Sequence, residues 1–223
     1  MRLRVLYEDN HLLAVDKPAC LATMGARADQ PSLWLEAKAY LKQKYNKPGN
    51  VYLGVVSRLD ALVTGVVIFA RTSKSAARLS AQFRDRDVEK LYWALTERPP
   101  RPPSGIWTDW LRHEERERKV LVVSANDRDA QEARLSYRTL RSGSGATLVE
   151  IGLETGRKHQ IRVQLSHHGC PILGDFQYGA KGRFPTGIAL HAYRLELTHP
   201  ILKTRLIITA PCPPTWRSYL PPT

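Results

Sequence analysis

The sequence predicts an α+β fold, read as one domain over residues 1–223. Two observations carry that expectation. Short apolar or alternating stretches outnumber stretches of helical period, and the helical stretches are scattered rather than alternating regularly with strands. No Pro-, Gly- or Ser-rich linker divides the chain convincingly.

Residues 3–7 (LRVLY) alternate loosely, and Asp9-Asn10 marks a turn into a second strand, Leu12–Asp16. Lys17-Pro18 ends that strand. Pro31-Ser32 opens a helix whose Leu33, Ala37, Tyr40 and Leu41 share a face, and Asn46-Lys47-Pro48-Gly49 stops it. Val51–Val56 and Val66–Arg71 read as strands around a tight segment, Ser57–Gly65. Thr72-Ser73 caps a second helix with Ala76, Leu79 and Phe83 in register, ending near Arg86.

Val88–Thr96 reads as a strand, with Lys90 and Tyr92 on one face and Leu91 and Trp93 on the other. Arg98–Ser104 (RPPRPPS) is a loop, and the mixed charges of 112–118 suggest a solvated connection. Further strands are expected near 119–123, 131–140 and 147–153, with a turn at Gly143-Ser144-Gly145. A short helix over Lys158–His168 ends at Gly169. Leu190–Leu197 and Lys203–Thr209 are late strands, and the Pro-rich tail from Pro211 is expected on the surface.

Composition narrows the function. The chain carries 34 Lys and Arg against 21 Asp and Glu, a net charge of +13. That balance suits a polyanion such as nucleic acid, or simply a basic protein. No apolar run approaches the ~20 residues of a membrane span, and Glu8-Asp9 interrupts any signal-peptide pattern. Cys20, Cys170 and Cys212 are odd in number and lack metal-ligand spacing, which points to a reducing compartment such as the cytoplasm. Phosphate-loop, dinucleotide and zinc-deaminase patterns are missing. His167-His168 does not place two ligands on one helical face, and Cys170 reads as structural.

Three segments could carry chemistry. In Ser57-Arg58-Leu59-Asp60, the aspartate sits at the mouth of a turn, exposed in a cleft or merely paired with arginine. In Glu154–Arg162 (ETGRKHQIR), Gly156 at a helix start beside Arg157, Lys158 and Arg162 makes either a phosphate site or a basic solvated helix. In Glu89-Lys90-Leu91-Tyr92, the tyrosine could stack on a base or fill a core.

Taken in order, these segments resemble a known family. The R-L-D turn, E-K-L-Y, ETGRKHQIRV, then Gly169-x-Pro171-Ile172-x-Gly174-Asp175-x-x-Tyr178-Gly179 and Leu190-His191-Ala192 are similar to the RluA-type pseudouridine synthases. Tyr7–Asp9 and Val15–Pro18 look like that family's first hairpin. The likeness runs from about residue 5 to 210.

The resemblance implies a mixed, largely antiparallel sheet with packed helices and a central basic cleft. The chain looks like the shorter catalytic-core type, without an added N-terminal RNA-binding domain. It also implies isomerisation of specific uridines in rRNA or tRNA to pseudouridine, with no cofactor, no metal and no obligate protein partner. Asp60 matches the family's catalytic aspartate. Arg162 matches the arginine that holds it ionised, and Tyr92 the active-site tyrosine. Arg58 matches an arginine that fills the gap left by the flipped nucleotide. Lys17 and Lys90 match positions near the cleft and are expected, as phosphate contacts, to bind RNA together with Arg157, Lys158 and His159. Attack at C1′, attack on the ring and a glycal route all remain open.

Two departures stand out: Ser57 where the family usually has His before R-L-D, and Val63-Thr64-Gly65 where it usually has Thr-Ser-Gly. They leave a rival reading, a degenerate member that binds or folds RNA without turnover.

Overall fold

In a computed structural model, residues 3–25, 30–115, 117, 119–143 and 145–219 are described. Among these residues, eleven strands and three α-helices make the expected α+β fold. The chain forms two compact units, Met1–Glu89 with Ala192–Pro211, and Lys90–His191 with Cys212–Thr223.

The first unit is built on β2 (Leu12–Lys17) and β4 (Thr64–Ala70), paired antiparallel from Leu12↔Ala70 to Lys17↔Gly65. Their near-continuous apolar runs show why both faces are covered. Leu13, Val15, Val67 and Phe69 pack with Leu33, Ala37 and Leu41 of α1 (Leu33–Lys44). The alternate residues Leu12, Ala14, Val66 and Ile68 pack with Leu79 of α2 (Ser73–Asp85). Both helices begin as their sequences predict. Ser32 Oγ accepts from the Leu35 N–H, and Thr72 Oγ1 from the Ser75 N–H.

β1 (Arg4–Glu8) flanks β2, the short β3 (Gly54–Val55) flanks β4, and β11 (Arg205–Thr209) flanks β10 (Leu190–Thr198). Only two residues of the Val51–Val56 stretch pair. Val51 and Leu53 are instead buried against α1.

The second unit is an antiparallel array in the order β5–β9–β8–β6–β7. These are β5 (Glu89–Thr96), β6 (Ser104–Glu114), β7 (Lys119–Val123), β8 (Gln131–Gly143) and β9 (Ala146–Leu153). The eleven-residue β6 narrows the sequence reading of 112–118 as a solvated connection, which holds for the exposed Glu115 and Glu117 but not for strand residues 112–114. Arg112, His113 and Glu114 pair with β7; Arg116 and Arg118, like Ser144 of the expected turn, lie outside the described residues. The charges of β6 masked an alternation in which Trp107 and Leu111 point inward. Asp109 is accommodated by Gln164 at 2.7 Å and His168 at 3.1 Å.

α3 spans Gln160–His167, beginning two residues later than expected. Every residue from Gln160 to Leu165 is buried. It is therefore no solvated basic helix: Val163 packs with Leu111, Val120, Ala133 and Tyr178. The described part of the tail lies largely on the surface as expected, with Pro211, Pro214, Thr215, Arg217 and Ser218 exposed, but Trp216 is 1% exposed and packs edge-on to Phe184 and His191. None of the described helices is long and apolar enough to cross a membrane.

Candidate active site

Asp60 lies in the turn between β3 and β4, half-buried, and its carbonyl accepts from the Val63 N–H at 3.1 Å. The backbone is pinned on both sides of it. Before it, Leu59 and Thr23 exchange two hydrogen bonds: Thr23 Oγ1 donates to the Leu59 carbonyl at 2.9 Å and accepts from its N–H at 3.0 Å. After it, the Ala61 carbonyl accepts from Lys17 Nζ at 2.9 Å. The turn closes on Gly65 at φ +112, where a Cβ would overlap the backbone of Ala192. Val63, one of the two departures, is buried and anchors the turn by packing.

Lys17 has a different place from the phosphate contact expected of it. It is fully buried, and its three N–H protons go to the carbonyls of Pro18, Leu21 and Ala61. Desolvation pushes the ammonium down to about 8, while the negative charge of Asp60 acts in the opposite direction. Lys17 is thus a positively charged brace that ties the end of β2 to the Asp60 turn. The unfolded chain binds more protons than the folded one between about pH 8 and the ordinary lysine value. This group therefore makes the fold more stable as pH rises across that window. Melting curves of wild type and Lys17→Met across alkaline pH check this. The wild-type melting temperature is expected to gain on the variant's as pH rises; parallel profiles would refute it.

In the second unit, Arg162 on α3 is 3% exposed and grips Asp175, itself 1% exposed. Nε donates to Oδ2 and Nη2 to Oδ1, both at 2.7 Å, and Nη2 also donates to Gln177 Oε1 at 2.9 Å. The guanidinium carbon sits 4.9 Å from the centre of the Tyr178 ring. This explains Gly174–Gly179 (GDFQYG) residue by residue. Gly174 and Gly179 take φ +81 and +84 at the two ends of a 3₁₀ turn, and Asp175, Gln177 and Tyr178 between them all hold Arg162. A bidentate planar clamp fixes the guanidinium in orientation as well as position.

The ETGRKHQ stretch is held from inside by Gln160. Its Oε1 accepts from Thr155 Oγ1 at 2.8 Å and from the Arg157 N–H at 3.0 Å, and its Nε2 donates to the Arg134 carbonyl at 3.1 Å. His159 takes a left-handed φ of 53, with Nδ1 2.8 Å from the Tyr178 hydroxyl, which also accepts from the Val120 N–H at 3.0 Å. Arg157 and Lys158 are exposed, just before α3.

Lys90 and Tyr92 are half-buried on β5, with Tyr92 opposite Ile151 of β9. Arg58 is exposed in the first unit. Asp175, Gln177, Tyr178 and Thr23 were given no role by sequence reasoning. The first three lie inside a block whose spacing stood out; Thr23 carried no signal. No cluster of three or more His, Cys, Asp or Glu placed to hold a metal occurs among the described residues.

A family model described as RNA pseudouridylate synthase matches residues 11–167. The chain is 34% identical over 228 residues to ribosomal large subunit pseudouridine synthase D of Pseudomonas aeruginosa, across 96% of this chain and 69% of that one. It is 32% identical over 220 residues to the protein of the same description from Nitrosomonas europaea, across 95% and 62%. It therefore spans about two thirds of the length of these relatives. Among solved structures, human RNA pseudouridylate synthase domain containing 4 superposes with a TM-score of 0.79 at 27% identity, covering 96% of this chain and 92% of that one.

Proposed function

The chain belongs to the RNA pseudouridylate synthase family, and we propose that it isomerises uridine in RNA to pseudouridine. Ribosomal RNA is the first substrate to test, because the bacterial relatives are described as ribosomal large subunit enzymes; tRNA is the second. In this reading residues 1–223 serve as one catalytic domain, working in the cytoplasm.

The observation that carries the reading is the bracing of Asp60. A carboxylate that must meet a base or sugar has to be accessible, ionised and held still. Asp60 is half-buried, its neighbours Leu59 and Ala61 are each hydrogen-bonded to another part of the unit, and the buried Lys17 supplies positive charge. A merely structural aspartate in a turn needs none of this.

The roles follow from the chemistry. The N1–C1′ bond breaks, the uracil turns, C5 bonds to C1′, C5 gives up its hydrogen and N1 gains one. Asp60 acts on the nucleotide as the catalytic carboxylate. Arg162 serves as the active-site cation, with its fork oriented by Asp175 and Gln177. Tyr92 stacks on the flipped base and assists removal of the C5 proton. Arg58 fills the gap in the stack, which offsets part of the few kcal/mol that extrusion costs. Lys90, Arg157, Lys158 and His159 contact the RNA, and the net charge of +13 supplies salt-dependent affinity.

Tritium release from RNA labelled at C5 of uridine tests the proposal, because C5 loses its hydrogen only on becoming the glycosidic carbon. Release from ribosomal or transfer RNA by the purified protein is expected. Tight RNA binding with no release from either pool would favour the rival reading of a binder without turnover.

A further inference from the structure

We infer that the concavity between the β6–β7 hairpin and the residues preceding α3 is a subsite for a guanosine of the bound RNA, separate from the uridine to be isomerised. The inference rests on the reading of the chain as an RNA enzyme. The concavity has a volume of about 520 Å³, within the range of sites that hold a small molecule or a nucleotide. Its floor is apolar: Leu111 and Val120 are each 3% exposed. Its walls carry both signs of charge, with Arg157 and Lys158 against Glu114 and Glu115, while the third carboxylate of the lining, Asp129, pairs with Arg128 at 3.8 Å.

These charges do not neutralise one another. Among the described residues, no ion pair joins either cation to either carboxylate. Arg157 Nε donates to the Glu132 carbonyl at 2.9 Å, which fixes the guanidinium to the protein through a neutral group. Lys158 Nζ lies 2.6 Å from His113 Nε2. That contact is with a histidine ring and not with a carboxylate. A cavity with an apolar floor, unneutralised cations and separate carboxylates suits a ligand that has an anion, a flat ring and hydrogen-bond donors. An RNA nucleotide has all three. Among the four bases, guanine presents two adjacent donors, N1–H and the N2 amino group, that match the two oxygens of a carboxylate. Uracil, cytosine and adenine offer a carboxylate one such donor group on that edge.

The subsite is also joined to the Arg162 clamp. Val120 on the floor donates its N–H to the Tyr178 hydroxyl at 3.0 Å, and the Tyr178 ring lies under the Arg162 guanidinium. His159, next to Lys158, bonds the same hydroxyl. A nucleotide seated here rests on the framework that positions Arg162.

Inosine provides the test, because it is guanosine without the N2 amino group. Fluorescence anisotropy would compare a short alternating guanosine–uridine RNA with the same RNA carrying inosine at every guanosine. Wild type is expected to bind the guanosine RNA roughly tenfold more tightly. The double variant Glu114→Gln/Glu115→Gln, with an unchanged melting temperature, is expected to bind both RNAs alike. Lys158→Ala is expected to weaken both equally and to flatten the log–log salt dependence by about 0.7. Equal wild-type affinity for the two RNAs overturns the subsite, and so does discrimination that survives in the double variant. Tritium release is read separately: its absence with inosine discrimination intact would remove the enzyme reading and leave the subsite standing.

Discussion

Asp60→Asn is expected to lower tritium release by roughly a thousandfold or more, to background, with the fold intact. Asparagine keeps the shape of the side chain and removes its charge. The backbone bonds that hold the turn come from its neighbours and from the main chain of Asp60 itself. Leu59 is held by Thr23, Ala61 by Lys17, and the Asp60 carbonyl closes the turn onto Val63. The melting temperature is therefore expected to move by no more than about 2–4 °C. RNA affinity, dominated by phosphate contacts, should stay within a few-fold. Thermal melts and filter binding beside the tritium assay separate these effects. Substantial turnover in a well-folded Asp60→Asn protein would remove this residue from the chemistry.

Asp175→Ala is expected to be the most damaging change away from Asp60. The carboxylate takes two charge-assisted bonds from Arg162, and both groups are almost wholly buried. Removing Asp175 takes the bidentate carboxylate away from a buried guanidinium, and breaking a buried pair in this way costs about 3–5 kcal/mol. Gln177 still accepts one N–H, but carries no charge to replace the one lost. Denaturant unfolding should show that loss, and tritium release should fall with it because the Arg162 fork is no longer oriented. The double variant Asp175→Ala/Arg162→Met separates the two effects. It should recover much of the stability, since the guanidinium is removed together with its clamp, and none of the activity. If both variants retain wild-type turnover, the clamp has no part in the reaction.

The elements that were legible in advance are those whose cause is local. Ser32 and Thr72 cap helices by bonds to residues three positions ahead. The apolar runs of β2 and β4 report strands buried on both faces. The R-L-D, ETGRKHQIRV and GDFQYG blocks could be picked out because each is contiguous. β6 was missed for the opposite reason. Its charged residues are satisfied by partners far along the chain: Asp109 by Gln164 and His168, and Arg112 by Asp127 at 3.9 Å. Nothing within the stretch announces those partners, so 112–118 read as a solvated connection and 105–111 as no regular element.

The sequence alone therefore determined the class of fold and the family, and the resemblance pointed to the aspartate proposed for the chemistry. It did so because caps, periodicity and contiguous motifs act over a few residues. The tertiary structure decided what the charged residues do. Lys17 reads as one more cation on a basic chain until its contact with Ala61, 44 residues on, shows it buried with every proton engaged. For Arg162 the resemblance implied a role beside Asp60, but its clamp on Asp175 within a buried α3 became visible only in the structure. Whether a charge meets water or a partner depends on which distant segments fold over it. The work of removing it from solvent, several kcal/mol per ion, is then what fixes its role.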